Sequence, residues 1–371
     1  MNMPEEEGWW QSVAATFWHP DFWLPLGIKW EDLKSTENFQ YPDFSDVWVY
    51  PLALSAVYIF LRAFILEPIF FVPLARFAGI SNRRRPPPEE NDIYEDIYQR
   101  YKTSPPHSTL EEAAQAMDVP TRKVERWLRR RHAAVRATKY EKFMDCAYDL
   151  VCHTCLCAFG FVIMKTKPWL WNITLCWEDY PHHSIDTNVW WYYMLRLAYY
   201  WSATIMHVPT PGRVLQDVIP MVLHHLFTIL LMVFSWTCNF VRIGTLVLLV
   251  HECADIPLLA AKMFKHAGIE SCTDILFAVF VILWVLTRCL IYPLWIMHSV
   301  FFEATTYMFM PSAYIFLGLL TGLLLLNLLW TVLIMGIIIR KVKAGTLEDF
   351  RSSAEEYSDN GTVKNNVKKV S

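Results

Sequence analysis

Two apolar stretches of this chain carry ionisable side chains. His224, His225 and Thr228 fall in one, and His251, Glu252, Asp255 and Lys262 in the next. Imidazoles beside carboxylates can relay protons or act as nucleophiles. An ionisable group surrounded by hydrocarbon is costly, so its presence there points to function. A lone histidine in a helix is usually a packed, hydrogen-bonded one. Two adjacent histidines opposite a His-Glu…Asp set are harder to account for that way. On helices, His224 shares a face with Thr228, and His251 with Asp255.

The elements that must position these groups are membrane helices. The chain has 371 residues, of which 54% are hydrophobic, 15% aromatic and only 19% charged. The apolar residues come in long blocks, the signature of a membrane protein rather than a soluble one. Seven blocks are candidates to span, near 47–73, 146–165, 188–207, 217–240, 241–262, 272–297 and 310–339. The expected fold is therefore all-α and polytopic, with about seven transmembrane helices. The nine Cys lie mostly inside these blocks and imply no disulfide framework. No cleavable signal peptide is expected, because an acidic, Trp-rich segment precedes the first span.

Charge sets the orientation. Arg83-Arg84-Arg85 follows the first span and Arg340-Lys341-Val342-Lys343 follows the last. Basic loops stay cytosolic. With an odd number of spans, the N-terminus is then lumenal and the C-terminus cytosolic. Loops 208–216 and 263–271 become cytosolic, and loops 166–187 and 298–309 lumenal. The sequon Asn172-Ile173-Thr174 falls on the lumenal side, making Asn172 a glycosylation candidate. Lys368-Lys369-Val370-Ser371 resembles a dilysine retrieval signal of endoplasmic-reticulum membrane proteins. Ser352 and Ser353, ahead of Glu355 and Glu356, resemble a phosphorylation site in a disordered tail.

Depth brings the polar groups together. His224 lies seven residues inside the fourth span from Asp217, about 10 Å. Asp255 lies seven residues before Lys262 at the cytosolic end of the fifth, again about 10 Å. The corner Asn239–Arg242 makes the two spans a tight hairpin. The polar clusters should meet at one level.

Residues 80–142 are the exception to the apolar pattern. Past a basic, Pro-rich linker they read as three helices, 91–103, 109–117 and 120–137, with a capping box at Ser108 and Glu111. The run Thr121-Arg122-Lys123-Val124-Glu125-Arg126-Trp127-Leu128-Arg129-Arg130-Arg131 resembles a homeodomain recognition helix. Arg130 stands where that family places its adenine-reading Asn, so no sequence-specific nucleic acid is expected. A basic module against the anionic leaflet or an assembly surface fits better, with acyl-CoA phosphates as a second ligand.

The stretch from His224-His225 through Thr228, Ser235, Asn239, Arg242, Gly244 and His251-Glu252-Cys253-Ala254-Asp255 to Lys262 resembles the longevity-assurance motif of ceramide synthases. Residues around it, roughly 140–342, resemble a six-span TLC domain, and the homeodomain-like insert is a further family hallmark. The family usually has His-Asp where this chain has His251-Glu252. The resemblance implies five regions: a lumenal segment 1–46, a first span 47–79, the insert 80–142, a TLC acyltransferase domain 143–342 and a cytosolic tail 343–371. It implies transfer of an acyl group from acyl-CoA, a co-substrate with no further cofactor, to a sphingoid base. The localisation implied is the endoplasmic-reticulum membrane.

On that resemblance His224, His225, His251, Glu252 and Asp255 are the catalytic candidates. The amine is mostly protonated at neutral pH and must lose a proton before attacking a thioester. A His can accept it, with a carboxylate orienting the imidazole as in a triad. A His can equally take the acyl group first. Both routes stay open. Arg213, Thr228, Ser235, Asn239, Arg242 and Lys262 are substrate-binding candidates, with Arg213, Lys262 and Lys265 placed to meet CoA phosphates. In the family, acyl-chain choice depends on the region matching His298–Met310. Family members suggest a dimer, of one or two kinds of chain. A non-enzymatic TLC-type lipid sensor or translocon-associated protein is the main alternative. His251-Glu252-Cys253-Ala254-Asp255 is a near miss of the HExxH zinc pattern, and no metal site is expected.

Overall fold

A computed structural model describes residues 9–37, 39–84, 86–207 and 215–344, and among these every regular element is helical. Helix α1 (Trp9–Phe17) opens a Trp-rich segment that runs to α2 (Asp46–Phe77). The insert holds α3 (Asp92–Tyr101), α4 (His107–Ala116) and α5 (Thr121–Val135). Then come α6 (Lys139–Met164), α7 (Thr187–His207), α8 (Leu215–Thr237), α9 (Val241–Glu252) and α10 (Asp255–Ala267). The last two are α11 (Glu270–Tyr307) and α12 (Ala313–Ala344).

Six helical stretches among the described residues are long and apolar enough to cross a membrane. The sequence reading expects seven, and the difference is α7. Its 21 residues give about 31 Å, a spanning length. Its Tyr and Trp residues, with Asn188 and Arg196, keep its mean hydropathy low. Much of α7 is nonetheless interior: Tyr192, Tyr193, Arg196, Leu197 and Ser202 are all fully buried. It packs against α2, α6 and α8.

Local chemistry sets the helix ends. Thr138 caps α6: its hydroxyl accepts from the Glu141 N–H at 3.1 Å, and the Glu141 carboxylate accepts from the Thr138 N–H at 2.8 Å. The corner between α8 and α9 turns on Asn239 at φ +57°. Helix α10 ends on Gly268 at φ +80°, whose N–H and that of Ile269 reach back to the Lys265 and Phe264 carbonyls. Pro257 lacks an N–H and crowds the carbonyl four residues back, at Cys253, so the helix is interrupted between Glu252 and Asp255. Cys253 and Ala254 keep right-handed helical backbone angles, so the stretch still crosses as one span and His251 and Asp255 stay on adjoining turns.

The insert has its own small core of Tyr94, Ile97, Tyr98, Leu110, Ala113, Ala114, Val124 and Leu128. Arg131 grips Glu95 with two bonds of 2.8 and 3.0 Å. Trp127 packs at the edge of this core on Tyr94, and its indole donates to the Glu89 carbonyl at 2.7 Å. Arg122, Lys123, Arg126, Arg129 and Arg130 are exposed. The expected capping box at Ser108 does not form, because α4 begins two residues earlier than expected, at His107 behind Pro106.

The Trp-rich segment seals the opposite end of the bundle from the insert. Trp18 and Trp23 pack against each other and against Phe234 of α8 in tilted and edge-to-face contacts. The Ser312 N–H donates to the Phe22 carbonyl at 2.9 Å, the Trp236 indole to the Asp43 carbonyl at 2.9 Å, and the Ile185 N–H to the Gln40 carbonyl at 2.8 Å.

Candidate functional site

Helices α7, α8, α9, α11 and α12 enclose a cavity with about 980 Å³ of space not filled by atoms, counting its open mouth. Its walls are almost wholly apolar. Polar groups gather at its insert-side half, His224, Thr228, Tyr200 and His251, while Ser235 lines the wall near the Asn239 corner. From there it runs past Gly244, Val247 and Leu248 to Phe240, Val300, Ala304, Met308 and Met310 at the far end. Gly244 is required where it stands, since a Cβ there would lie 2.5 Å from the Tyr193 hydroxyl. That hydroxyl is hydrogen-bonded to Ser235.

The adjacent histidines part company. His224 lines the cavity, and its buried Nδ1 has no hydrogen-bond partner. Its ring lies 5.4 Å from that of Trp330 and 6.3 Å from that of Tyr200. His225 turns toward α7, where its Nδ1 is 3.0 Å from the Thr204 hydroxyl. Thr228, one turn on from His224, is buried in the same wall with its hydroxyl unpartnered.

His251 forms the facing wall. Its Nδ1 lies 2.8 Å from the Val247 carbonyl, which can only accept, so Nδ1 carries the proton. Its Nε2 is 3.5 Å from the side-chain amide of Asn327 on α12. Tyr292 closes over the ring at 4.6 Å.

The two carboxylates pair with arginines rather than imidazoles. Glu252, 1% exposed, forms an ion pair with the fully buried Arg196 of α7 and accepts from the Tyr192 hydroxyl at 3.2 Å. Asp255 takes both its bonds from Arg288 of α11, at 3.2 and 3.3 Å. Arg288 also donates to the His251 carbonyl and, at 3.3 Å, to Asn327. A triad in which Glu252 or Asp255 orients an imidazole is not what the geometry contains. The link from Asp255 to His251 runs through Arg288.

The remaining sequence candidates divide. Thr228 and Ser235 line the cavity. Asn239 and Arg242 do not: the Asn239 amide donates to the Pro181 and His183 carbonyls at 2.7 and 2.8 Å, and Arg242 donates to the Leu175 carbonyl while lying over Trp169. Their bonds fasten the loop between α6 and α7. Lys262 is exposed on the insert side, in the group formed with Lys265, His266, Lys139 and Lys142. Asn172 is exposed, and its Oδ1 accepts from the N–H and hydroxyl of Thr174. Arg213, Ser352 and Ser353 lie outside the described residues. Sequence reasoning passed over Arg196, Arg288 and Asn327. Each is a buried polar group within a hydrophobic helix, and that alone was a usable signal.

Comparison with known proteins identifies the family. The TLC domain family matches residues 142–336. Ceramide synthase 4 of Bos taurus is 32% identical over 94% of this chain and 88% of its own length. Ceramide synthase 3 of Mus musculus is 30% identical over 93% and 89%. Ceramide synthase hyl-2 of Caenorhabditis elegans is 29% identical over 94% of both. The chain is a polytopic membrane protein of the TLC-domain family and belongs to its ceramide synthases.

Proposed function

We propose that the protein is a sphingoid-base N-acyltransferase of the endoplasmic-reticulum membrane, moving a fatty acyl group from acyl-CoA to a long-chain amine to form ceramide or dihydroceramide. The observation that carries this reading is His224: an imidazole with a free ring nitrogen at the polar end of a long apolar cavity. The cavity takes the acyl chain. The thioester then lies beside His224, with CoA outside the hydrocarbon on the insert side.

The bond changes are those of acyl transfer. The amine lone pair adds to the thioester carbonyl, the C–S bond breaks, and CoA leaves as thiolate. The ammonium first gives up one proton to the water at the cavity mouth; after addition His224 takes the second from the nitrogen and passes it to the thiolate, so amide, CoA thiol and one released proton result. If His224 takes the acyl group first, the acyl-imidazole is the species the amine attacks. His225, held at Thr204, and His251, held at Val247 and Asn327, position substrate. Glu252–Arg196 and Asp255–Arg288 keep α7, α9, α10 and α11 in register around the thioester. The lysines at the mouth, Lys262 foremost, meet CoA phosphates, which point charges suit. The insert lies on the same cytosolic side, its basic face toward anionic headgroups, and Asn172 is glycosylated in the lumen.

Purified protein, given radiolabelled acyl-CoA and sphinganine, is expected to form ceramide. Label retained on the protein without amine, released by hydroxylamine and absent in His224→Ala, selects the acyl-histidine route. No retained label with full turnover selects direct attack. No ceramide with any acyl-CoA chain length refutes the reading.

A further inference from the structure

Thr228 lines the cavity, is only 6% exposed, and has a hydroxyl with no hydrogen-bond partner. A threonine inside a helix commonly donates its hydroxyl to the carbonyl four residues back. Thr204, Thr237, Thr273, Thr287 and Thr331 all do so, at 2.7 to 2.9 Å. For Thr228 that carbonyl belongs to His224, and the bond is not made. A hydroxyl left unbonded against apolar walls is costly, and a substrate oxygen bonded there would recover the loss.

The helix fixes where this hydroxyl stands. Thr228 and His224 are four apart on α8, so their Cβ atoms lie about 5–6 Å apart on one face. Helical side chains lean toward the N-terminus, so Thr228 covers the wall between the two residues. The His224 Nδ1 is likewise buried and unpartnered. A catalytic nitrogen works at about 3–3.5 Å from the reacting atoms, and an oxyanion donor at about 2.7–3.1 Å from the oxygen. One carbonyl group fits that separation, with its carbon toward His224 and its oxygen toward Thr228. The neighbouring polar groups are committed elsewhere. The Ser235 hydroxyl meets the Tyr193 hydroxyl and the Met232 carbonyl. The His251 Nδ1–H faces the Val247 carbonyl, and the Asn327 amide faces the His251 Nε2. Tyr200 brings another hydroxyl to this level, its ring 6.3 Å from that of His224.

We infer that the Thr228 hydroxyl is the oxyanion donor of the acyl transfer. This rests on the N-acyltransferase reading, which places the thioester beside His224 and leaves its oxygen without a donor. When the nucleophile adds, whether amine or His224 itself, the π pair of the carbonyl moves onto oxygen. Thr228 donates a hydrogen bond to that oxyanion and keeps its proton. The pair returns as the C–S bond breaks and the thiolate leaves. In the acyl-histidine route the same donor serves a second time, as the C–N bond to His224 breaks. Both routes pass through a tetrahedral oxyanion at one carbon, so one donor suits either.

The test uses the full-length protein in nanodiscs and two probes. A ketone analogue of acyl-CoA, with a methylene between the sulfur and an isotopically labelled carbonyl, binds without being transferred, and its infrared carbonyl band reads the hydrogen bond. Ceramide formation from sphinganine and acyl-CoA reads catalysis. In Thr228→Val the band is expected to move to higher frequency. Its kcat should fall about a hundredfold with the acyl-CoA KM within about twofold of the parent. Its melting midpoint should equal or exceed the parent's, because the lost hydroxyl bonds nothing in the protein. Thr228→Ser should restore the band and most of kcat, and Tyr200→Phe should leave the band in place. An unmoved band in Thr228→Val, or a band that moves in Tyr200→Phe instead, overturns the assignment. A midpoint that falls together with activity, the mark of a structural role, overturns it too, as does a Thr228→Ser as inactive as the valine variant. A Thr228-dependent band in a parent that makes no ceramide refutes the transferase reading and leaves Thr228 as a carbonyl ligand.

Discussion

His224 and His225 are neighbours in sequence with different surroundings, and the difference should appear in activity. His224→Ala removes the group with a free nitrogen in the cavity and is expected to lower ceramide formation by at least about a hundredfold. His225→Ala removes a contact to Thr204, and Thr204→Val should reproduce part of its smaller effect. Initial rates in microsomes check both, and equal loss in the two histidine variants would contradict the assignment. Glu252 has a structural consequence as well. Glu252→Gln leaves Arg196 as an unpaired buried charge, expected to cost about 3–5 kcal/mol. Thermal unfolding in detergent reads this, and an unchanged midpoint would show that the pair is not essential to the fold. The histidines and carboxylates were legible in the sequence because polar residues stand out in apolar runs. Their partners were not. Arg196, Arg288 and Asn327 lie on α7, α11 and α12, far along the chain, and pairing across helices leaves no local pattern. A triad was the natural reading of His251 and Asp255, and it fails because Arg288 takes the Asp255 carboxylate while Val247 and Asn327 hold the His251 ring.

At the scale of elements, α11 and the start of α12 close the cavity opposite His224. Val300, Ala304, Met308 and Met310 line that end, within the region the family resemblance ties to chain length. On the proposed function, these side chains would meet the methyl end of the acyl chain. Ala304→Trp should shift the ceramides formed toward shorter acyl chains, measured by mass spectrometry after feeding mixed acyl-CoAs. An unchanged distribution would place the chain elsewhere. Most span positions follow directly from apolar length. Helix α7 has a spanning length, but its aromatic and polar residues lower its mean hydropathy while several of them are fully buried. The short insert helices were placed to within a few residues, the error at α4 coming from Pro106 as its first boundary.

Across the whole molecule, the two ends of the bundle differ in chemistry. Lysines crowd the insert side, while the far side is tied by Trp-rich contacts and by the loop between α6 and α7. In that loop His183 is buried and donates from Nε2 to the Glu178 carbonyl at 2.6 Å. Burial holds its pKa down to about 4, against 6.5 for the ordinary side chain. Above pH 6.5 the folded and unfolded forms are both neutral and the full stability is present. As pH falls from 6.5 toward 4 the unfolded form takes up the proton first, so stability declines, by roughly 2 kcal/mol at pH 5. Melting curves between pH 7.5 and 5 should show this slope, and His183→Gln should flatten it. An identical slope in the variant would assign the effect to other groups. The orientation is an expectation from charge bias, the Asn172 sequon and the Lys368-Lys369 pair, because no helix contact distinguishes one membrane face from the other. A mobility shift removed by glycosidase and by Asn172→Gln is the expected sign of a lumenal α6–α7 loop.

The central claim is that His224, at the head of the apolar cavity, makes this protein a sphingoid-base N-acyltransferase. Its most direct test is ceramide formation from sphinganine and acyl-CoA in ceramide-synthase-null membranes expressing the parent or His224→Ala at matched abundance. Ceramide formed by the parent and lost in the variant is the predicted result. Ceramide formed equally by both, or by neither with any acyl-CoA, would contradict it.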